Sequence, residues 1–241
     1  MSGIIGIASR HNAVPGLLQG LRQMGHTMHN NCGLVVYGRQ GQTASAPRLH
    51  RHRRAQPIAG WMDPLDMLDG RVGMGHIGQN RTQGPQGLQA VLPHFSHGPN
   101  DDLNSPARVA VVAQGQLQDT RGLRNLLQER GYRFKSDSDS ELLAHLIDAT
   151  HPGNALQALH RTLGLVVGNL AMGVMFHDQP GQLFAVQRGV GLYWHFDGES
   201  IIWTSASVAL SCSAEELKLL PDGLMLEIQS EHDRIRYCLH E

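Results

Sequence analysis

The apolar residues of this chain fall into runs of two kinds, and their order outlines a fold. Residues 3–8 (GIIGIA) and 33–38 (GLVVYG) are short apolar runs that predict strands. Between them, residues 14–24 (VPGLLQGLRQM) carry apolar side chains at helical spacing, behind the capping candidate Asn12 and with Pro15 near the start. Residues 39–70 are polar, basic and Pro-containing, and predict a loop or irregular excursion of the kind an insertion or lid would make. Apolar character resumes in RVGMGHIG (71–78), pauses in a Gly/Gln-rich loop to about residue 90, and returns in PARVAVVAQGQL (106–117). Within that segment VAVVA reads as a buried strand ending at Gln114-Gly115.

Three helical patterns follow, over 120–130, 140–150 and 155–164, the second capped by the Asp/Ser series before it. Four strand-like runs come next, LAMGVMF, QLFAVQR, GLYWHF and SIIWTSAS, punctuated by DQPG and DGE turns; DGLMLEIQ and RIRYCLHE make a last hairpin. Strands, a helical block, then strands again predict two sheets with helices packed against them, an α+β layered domain spanning residues 1–241. No internal repeat is present.

Composition narrows the function without deciding it. With 41% hydrophobic and 17% charged residues, the chain is an ordinary globular one, long enough to bury a sizeable core. Twenty Lys+Arg against 21 Asp+Glu leave no global field to recruit nucleic acid or an anionic membrane, so neither partner is expected. No apolar run approaches the ~18 residues that span a bilayer, and no signal segment is evident, so a cytoplasmic location is expected. Cys32, Cys212 and Cys238 are too few and too scattered for a disulfide framework or a zinc site. The 15 histidines include no His-Glu-x-x-His, and neither a metal nor another cofactor is expected.

Four stretches in order carry the chemistry: SGIIG at the start, GMGHIGQNRTQG (73–84), VAQGQL (112–117) and SDSDSELLAHLI (136–147). Together they resemble the glutaminase domain of class II, N-terminal-nucleophile glutamine amidotransferases, as in glucosamine-6-phosphate synthase and amidophosphoribosyltransferase. The later segments GLYWHF, IIWTSASVAL and LLPDGLMLEI follow in the same order, so the resemblance covers nearly the whole chain. It implies a four-layer αββα sandwich of the N-terminal-nucleophile hydrolase type. It also implies removal of Met1, attack on the glutamine side-chain amide by the side chain at position 2, and the freed α-amine as base.

At that position the family has Cys and this chain has Ser2, whose hydroxyl is far harder to deprotonate than a thiol of pKa about 8.5. The family's oxyanion pair Asn-Gly is Gln114-Gly115 here, and the extra methylene moves the amide donor by up to about 1.5 Å. Such donors act only within about 2.7–3.1 Å of the developing charge, and losing one costs about 10²–10³ in rate. The family's Arg, two residues after the strand His, holds the glutamine carboxylate. After His76 that place is Gly78, or Gln79 in a loop longer by one, with Arg81 the remaining guanidinium that could reach in. The Arg and acid of a further family segment are absent from residues 27–33 (TMHNNCG: Thr27, Met28, His29, Asn30, Asn31, Cys32, Gly33). Asp139 survives at the position that binds the substrate amino group in the family.

Plainer readings accompany each of these residues. Ser2 is also an ordinary strand-opening residue, Asp139 a helix-start acid, His76 a packed core residue and Cys32 a small buried thiol. RLHRHRR (48–54) reads as a solvated loop rather than a phosphate or RNA contact. Two functions stay open. One is a catalytically silent relative, a structural or regulatory subunit for a synthase-like partner or for self-association. The other is an active glutaminase with Ser2 as nucleophile, Gln114 and Gly115 as oxyanion hole, and glutamine or a related amino acid held by Asp139, His76 and Arg81. Any acceptor domain is expected on another polypeptide.

Overall fold

Alternation along the first strand sets up three layers of apolar packing. In β1 (Gly3–Ser9) every residue is buried. Ile5 and Ile7 face a helix, α1 (Val14–Met24), through Leu17 and Leu21, while Ile4 and Ala8 face the opposite way into the centre of the molecule. A strand buried on both sides has no solvent face to mark with polar residues, which is why this run reads as unbroken. A computed structural model describes residues 2–25, 31–41, 46–55, 58, 68–78, 85–100, 105–210, 212–213, 215–231 and 234–241.

The remaining strands are β2 (Asn31–Gln40), β3 (Arg48–Arg54), β4 (Leu68–Gly78), β5 (His94–Ser96), β6 (Val109–Gln118), β7 (Val167–Phe176), β8 (Gln182–Arg188), β9 (Tyr193–Phe196), β10 (Ser200–Thr204), β11 (Lys218–Leu219), β12 (Met225–Glu231) and β13 (Arg234–His240). The further helices are α2 (Pro85–Gln89), α3 (Arg121–Glu129), α4 (Asp139–Thr150) and α5 (Ala155–Leu165). One antiparallel sheet runs β11-β9-β10-β1-β4-β2-β3 and the other β13-β12-β8-β7-β6-β5. Ile4, Met74, Val112, Ala171, Ala185 and Trp203 belong to the core between the sheets. Helices α4 and α5 cover the outer face of the second sheet over Val111, Met172 and Val174, completing an αββα sandwich.

Two glycines make room for the largest central side chain. A Cβ on Gly6 would lie 2.2 Å from Trp203 Cε2, and one on Gly173 would lie 2.3 Å from Trp203 Cη2. The indole therefore sits between a glycine of each sheet, at the spacing where aromatic bulk replaces two smaller side chains.

The helical boundaries follow the sequence pattern closely, with local differences. Asn12 accepts a hydrogen bond from Val14 N at 3.1 Å, yet it lies one residue outside the cap position, which is Ala13. Ser138 caps α4 by accepting from Ser140 N at 3.2 Å. The expected excursion over 39–70 is corrected: Arg48–Arg54 forms an edge strand in full register with β2, and β4 begins at Leu68. Solvated loop is likewise the wrong reading of RLHRHRR. Leu49 and His50 are buried there, and His50 Nε2 lies 3.1 Å from Gly38 O. The short β5 and β11 and the single-turn α2 carry too few residues to show a period.

Candidate functional site

The two sheets are held in a known sense. Ser230 Oγ donates to Ser9 O at 3.1 Å, which ties the C-terminal end of β1 to the end of β12, while Trp203 links Gly6 to Gly173 and so to its β6 partner Val112. Moving back along β1 from Gly6 towards Ser2 is therefore moving along β6 from Val112 towards Gln114 and Gly115. Side chains alternate, so Ser2 shares the parity of Ile4, Gln114 that of Val112, and His76 that of Met74, all on the inter-sheet side. Ser2, His76, Gln114 and Gly115 thus belong to one end of the sandwich.

Each is framed by local packing. Ser2 is exposed, and the Cβ position of Gly3 lies 2.6 Å from Met24 Sδ, so a thioether fills the space beside it. Ile4 N donates to Ser205 Oγ at 3.0 Å, and Thr204 Oγ1 donates to Ile4 O at 2.9 Å, which fixes the approach to position 2. His76 is buried, opposite Ile4 on one side and Gly33 on the other. Gly78 is buried too, and a Cβ there would lie 2.7 Å from His76 Cε1.

Gln114 Oε1 is buried with no hydrogen-bond partner among the described residues. The next residue, Gly115, has φ +123°, and a Cβ on it would meet Asn169 O at 2.2 Å. Its ladder neighbourhood contains a counterpart, Gly168, at φ +126°. Only glycine tolerates this backbone so close to the neighbouring strand. Asp139 reaches the same strand, its Oδ2 accepting from Leu117 N at 3.0 Å. The start of α4 is thereby tied to the segment just past the oxyanion pair.

Arg81 lies outside the described residues, as do Gln79 and residues 27–30. Cys32 is fully buried and its thiol is pushed up to about 12 by burial, against a smaller lowering by the Arg54 charge, so it is a packing residue and no nucleophile. Ser96, His145 and Asp148 lie together, Ser96 Oγ donating to Asp148 Oδ2 at 2.9 Å with His145 Nδ1 3.1 Å from the same hydroxyl. Ser96 is 0% exposed, so no substrate reaches it, and the group serves as a buried network that Tyr132 OH completes by donating to Asp148 at 3.1 Å. Among the described residues no three His, Cys, Asp or Glu side chains gather to hold a metal, and no helix is long and apolar enough to cross a membrane.

Sequence reasoning missed a second concavity, a cavity of about 50 Å³ at the open edge of the sandwich, between β3, β5 and the start of α4. Arg51, Arg53, Arg133, Lys135, His94 and Glu141 are among its lining residues. The signal was present in RLHRHRR, where Leu49, Arg51 and Arg53 share one strand face, but it required recognising a strand.

The glutamine amidotransferase domain matches residues 88–212, more than half of the chain. The chain belongs to that family. Glutamine--fructose-6-phosphate aminotransferase (isomerizing) of Bordetella pertussis is 26% identical over 231 residues, covering 95% of this chain and 36% of that protein. The enzyme of the same name from Legionella pneumophila (strain Lens) is 29% identical over 226 residues, covering 92% and 35%. Glutamine phosphoribosylpyrophosphate (PRPP) amidotransferase from B. subtilis superimposes with a TM-score of 0.73 at 20% identity, covering 98% of this chain and 48% of that one. The allosteric regulatory enzyme of purine biosynthesis gives 0.75 at 21% identity, with the same coverage. The fold is that of the N-terminal-nucleophile amidotransferases, and this is a class II glutamine amidotransferase domain. The chain spans about a third of the length of these curated relatives and about half that of the structural ones.

Proposed function

We propose that this class II glutamine amidotransferase domain has lost glutaminase activity and serves as a cytoplasmic structural or regulatory subunit for a synthase-like partner. The observation that carries the reading is Gly78. Where the family resemblance calls for a guanidinium stands a buried glycine, and a Cβ there would lie 2.7 Å from the His76 ring, which would have to shift to admit a side chain. Without that fork at position 78, the glutamine carboxylate lacks a bidentate charged partner among the described residues. Asp139, another candidate contact for substrate, has one oxygen already accepting from Leu117 N. The hydroxyl of Ser2 and the longer amide of Gln114 weaken attack and oxyanion binding in the same direction. Such losses do not multiply, because the residues act as a unit, but none compensates another. The three cysteines are free thiols, in keeping with a reducing compartment.

A second reading is favoured by the shared end of Ser2, Gln114, Gly115 and Asp139. In it Met1 is removed, the α-amine of Ser2 takes the hydroxyl proton, and Oγ attacks the glutamine amide carbon. Ammonia leaves towards a partner, and water then hydrolyses the resulting ester. Intact-mass analysis combined with ammonia release from glutamine separates the two. The silent reading expects release at the buffer background for the natural chain and no more than a trace for Ser2→Cys with Met1 removed. Sustained turnover by the natural chain, with Met1 absent, overturns it.

A further inference from the structure

We propose that the cavity lined by Arg51, Arg53, Arg133 and Lys135 is a binding site for a phosphoryl group, carried by a small phosphorylated metabolite or present as inorganic phosphate. The site is remote in chemistry from the Ser2 end and stands whether or not that end turns over glutamine.

Its construction follows from the edges of the two sheets. β3 closes one sheet and the three-residue β5 closes the other, so the side chains of β3 that face inward overhang the sandwich edge. Leu49 on that face joins the central core, and two and four residues on, Arg51 and Arg53 continue past the apolar packing. Arg51 lies over the Phe95 ring at 4.3 Å, and its Nη1 donates to Pro93 O at 3.4 Å. Arg53 Nη1 donates to Val91 O at 3.0 Å. Both guanidinium groups are thus held by the segment leading into β5, so little ordering is left for ligand binding to accomplish. The exposed Arg133 and Lys135 approach from the loop before α4.

Among the described lining residues, four cations face a single carboxylate. Glu141 is 4% exposed, and its two oxygens already accept from Lys135 N at 2.9 Å, Ser136 N at 2.7 Å and Ser136 Oγ at 2.7 Å. It tempers the field yet has its hydrogen-bonding capacity engaged by the loop. His94 is 3% exposed, its Nε2 lies 2.9 Å from Gln89 O, and its Nδ1 is buried without a hydrogen-bond partner among the described residues. Nε2 donates to the Gln89 carbonyl, so Nδ1 of the neutral ring is a lone-pair acceptor, which a protonated phosphoryl oxygen or a bridging water would satisfy. A cavity of about 50 Å³ accommodates a few waters, each needing ~10–15 Å³ by the same measure, and so matches one tetrahedral oxyanion rather than a polymer.

The test is calorimetric titration of the whole chain at constant ionic strength, with chloride balancing every addition. Inorganic phosphate is the first probe, a hexose monophosphate with its unphosphorylated sugar the second, and a 20-nucleotide single-stranded RNA the third. Saturable 1:1 phosphate binding is expected, weakened about tenfold for each cation removed in Arg133→Gln and Lys135→Gln, and unchanged in Arg121→Gln on an exposed part of α3. Circular dichroism confirms that the exposed-loop variants fold. Tighter binding of the monophosphate than of phosphate identifies a phosphorylated metabolite as ligand, and equal binding identifies phosphate itself; either supports the site. Absence of saturable binding by both, binding unaltered in the double variant, or RNA binding that phosphate does not displace overturns it.

Discussion

His94 shows how one residue can report on the whole interior. Burial in the wall between β5 and α4 pushes its imidazole down to about 4, with the backbone contact to Gln89 opposing more weakly. His50 and His52 are also lowered, burial again being the largest cause. In each case the unfolded chain takes up a proton near pH 6.5, while the folded one resists. Stability is therefore fully present above about pH 6.5 and falls as the pH drops towards 4, the reverse of a histidine gaining an ion pair. His94→Asn should flatten this fall, with an effect on the order of 1–3 kcal/mol between pH 7 and 4.5. Urea midpoints at the two pH values for both proteins measure it; equal slopes would show that His94 is protonated in the native state. Residue-level readings from the sequence held where only burial was at issue, as for Cys32 and His76. They failed for Arg51 and Arg53, whose role depends on what lies across the sandwich edge.

At the scale of elements, helices are fastened to the sheets by polar side chains as well as by apolar faces. Arg188, the last residue of β8, donates from Nε to Gly168 O at 3.0 Å, from Nη1 to Leu163 O at 3.2 Å and from Nη2 to Val166 O at 2.9 Å. One guanidinium thus serves carbonyls at the end of α5, where helix geometry leaves them without partners, and at the start of β7. Arg188→Met keeps the stem but leaves those carbonyls unmatched, and should cost about 2–4 kcal/mol. The denaturation midpoint should move with the slope unchanged. Gly115→Ala is predicted to be as damaging, about 2–3 kcal/mol, because positive φ and the Asn169 carbonyl both oppose a Cβ; thermal unfolding would register it. The runs of β1, β8 and the helices of the central block were legible because each spans enough residues to show its period. β3 was hidden because its dense run of charged and polar residues imitates a loop.

For the molecule as a whole, the position of Trp203 between Gly6 and Gly173 joins the two sheets through one rigid ring. Gly6→Ala and Gly173→Ala should each destabilise by about 1–3 kcal/mol through overpacking. If they act through the indole, Trp203→Leu should make Gly6→Ala nearly neutral in that background, so the double-mutant cycle will show coupling above about 1 kcal/mol. Simple additivity would place the strain elsewhere. The same inter-sheet contact sets Ser2 at the Gln114 end, and so the arrangement that either reading of the function must use.

The sequence alone determined the order of elements, the α+β layering and, through motifs spread along the chain, the amidotransferase resemblance, since periodicity and local chemistry are written in neighbouring residues. It also exposed the replacements at positions 2, 78 and 114, because residue identity needs no coordinates. Tertiary structure decided what those identities mean in space: that Gly78 is buried against the His76 ring, that Asp139 is engaged by β6, and that a basic run is a strand whose arginines close over a cavity. These depend on contacts between segments far apart in sequence, where packing and burial, rather than local preference, select the outcome.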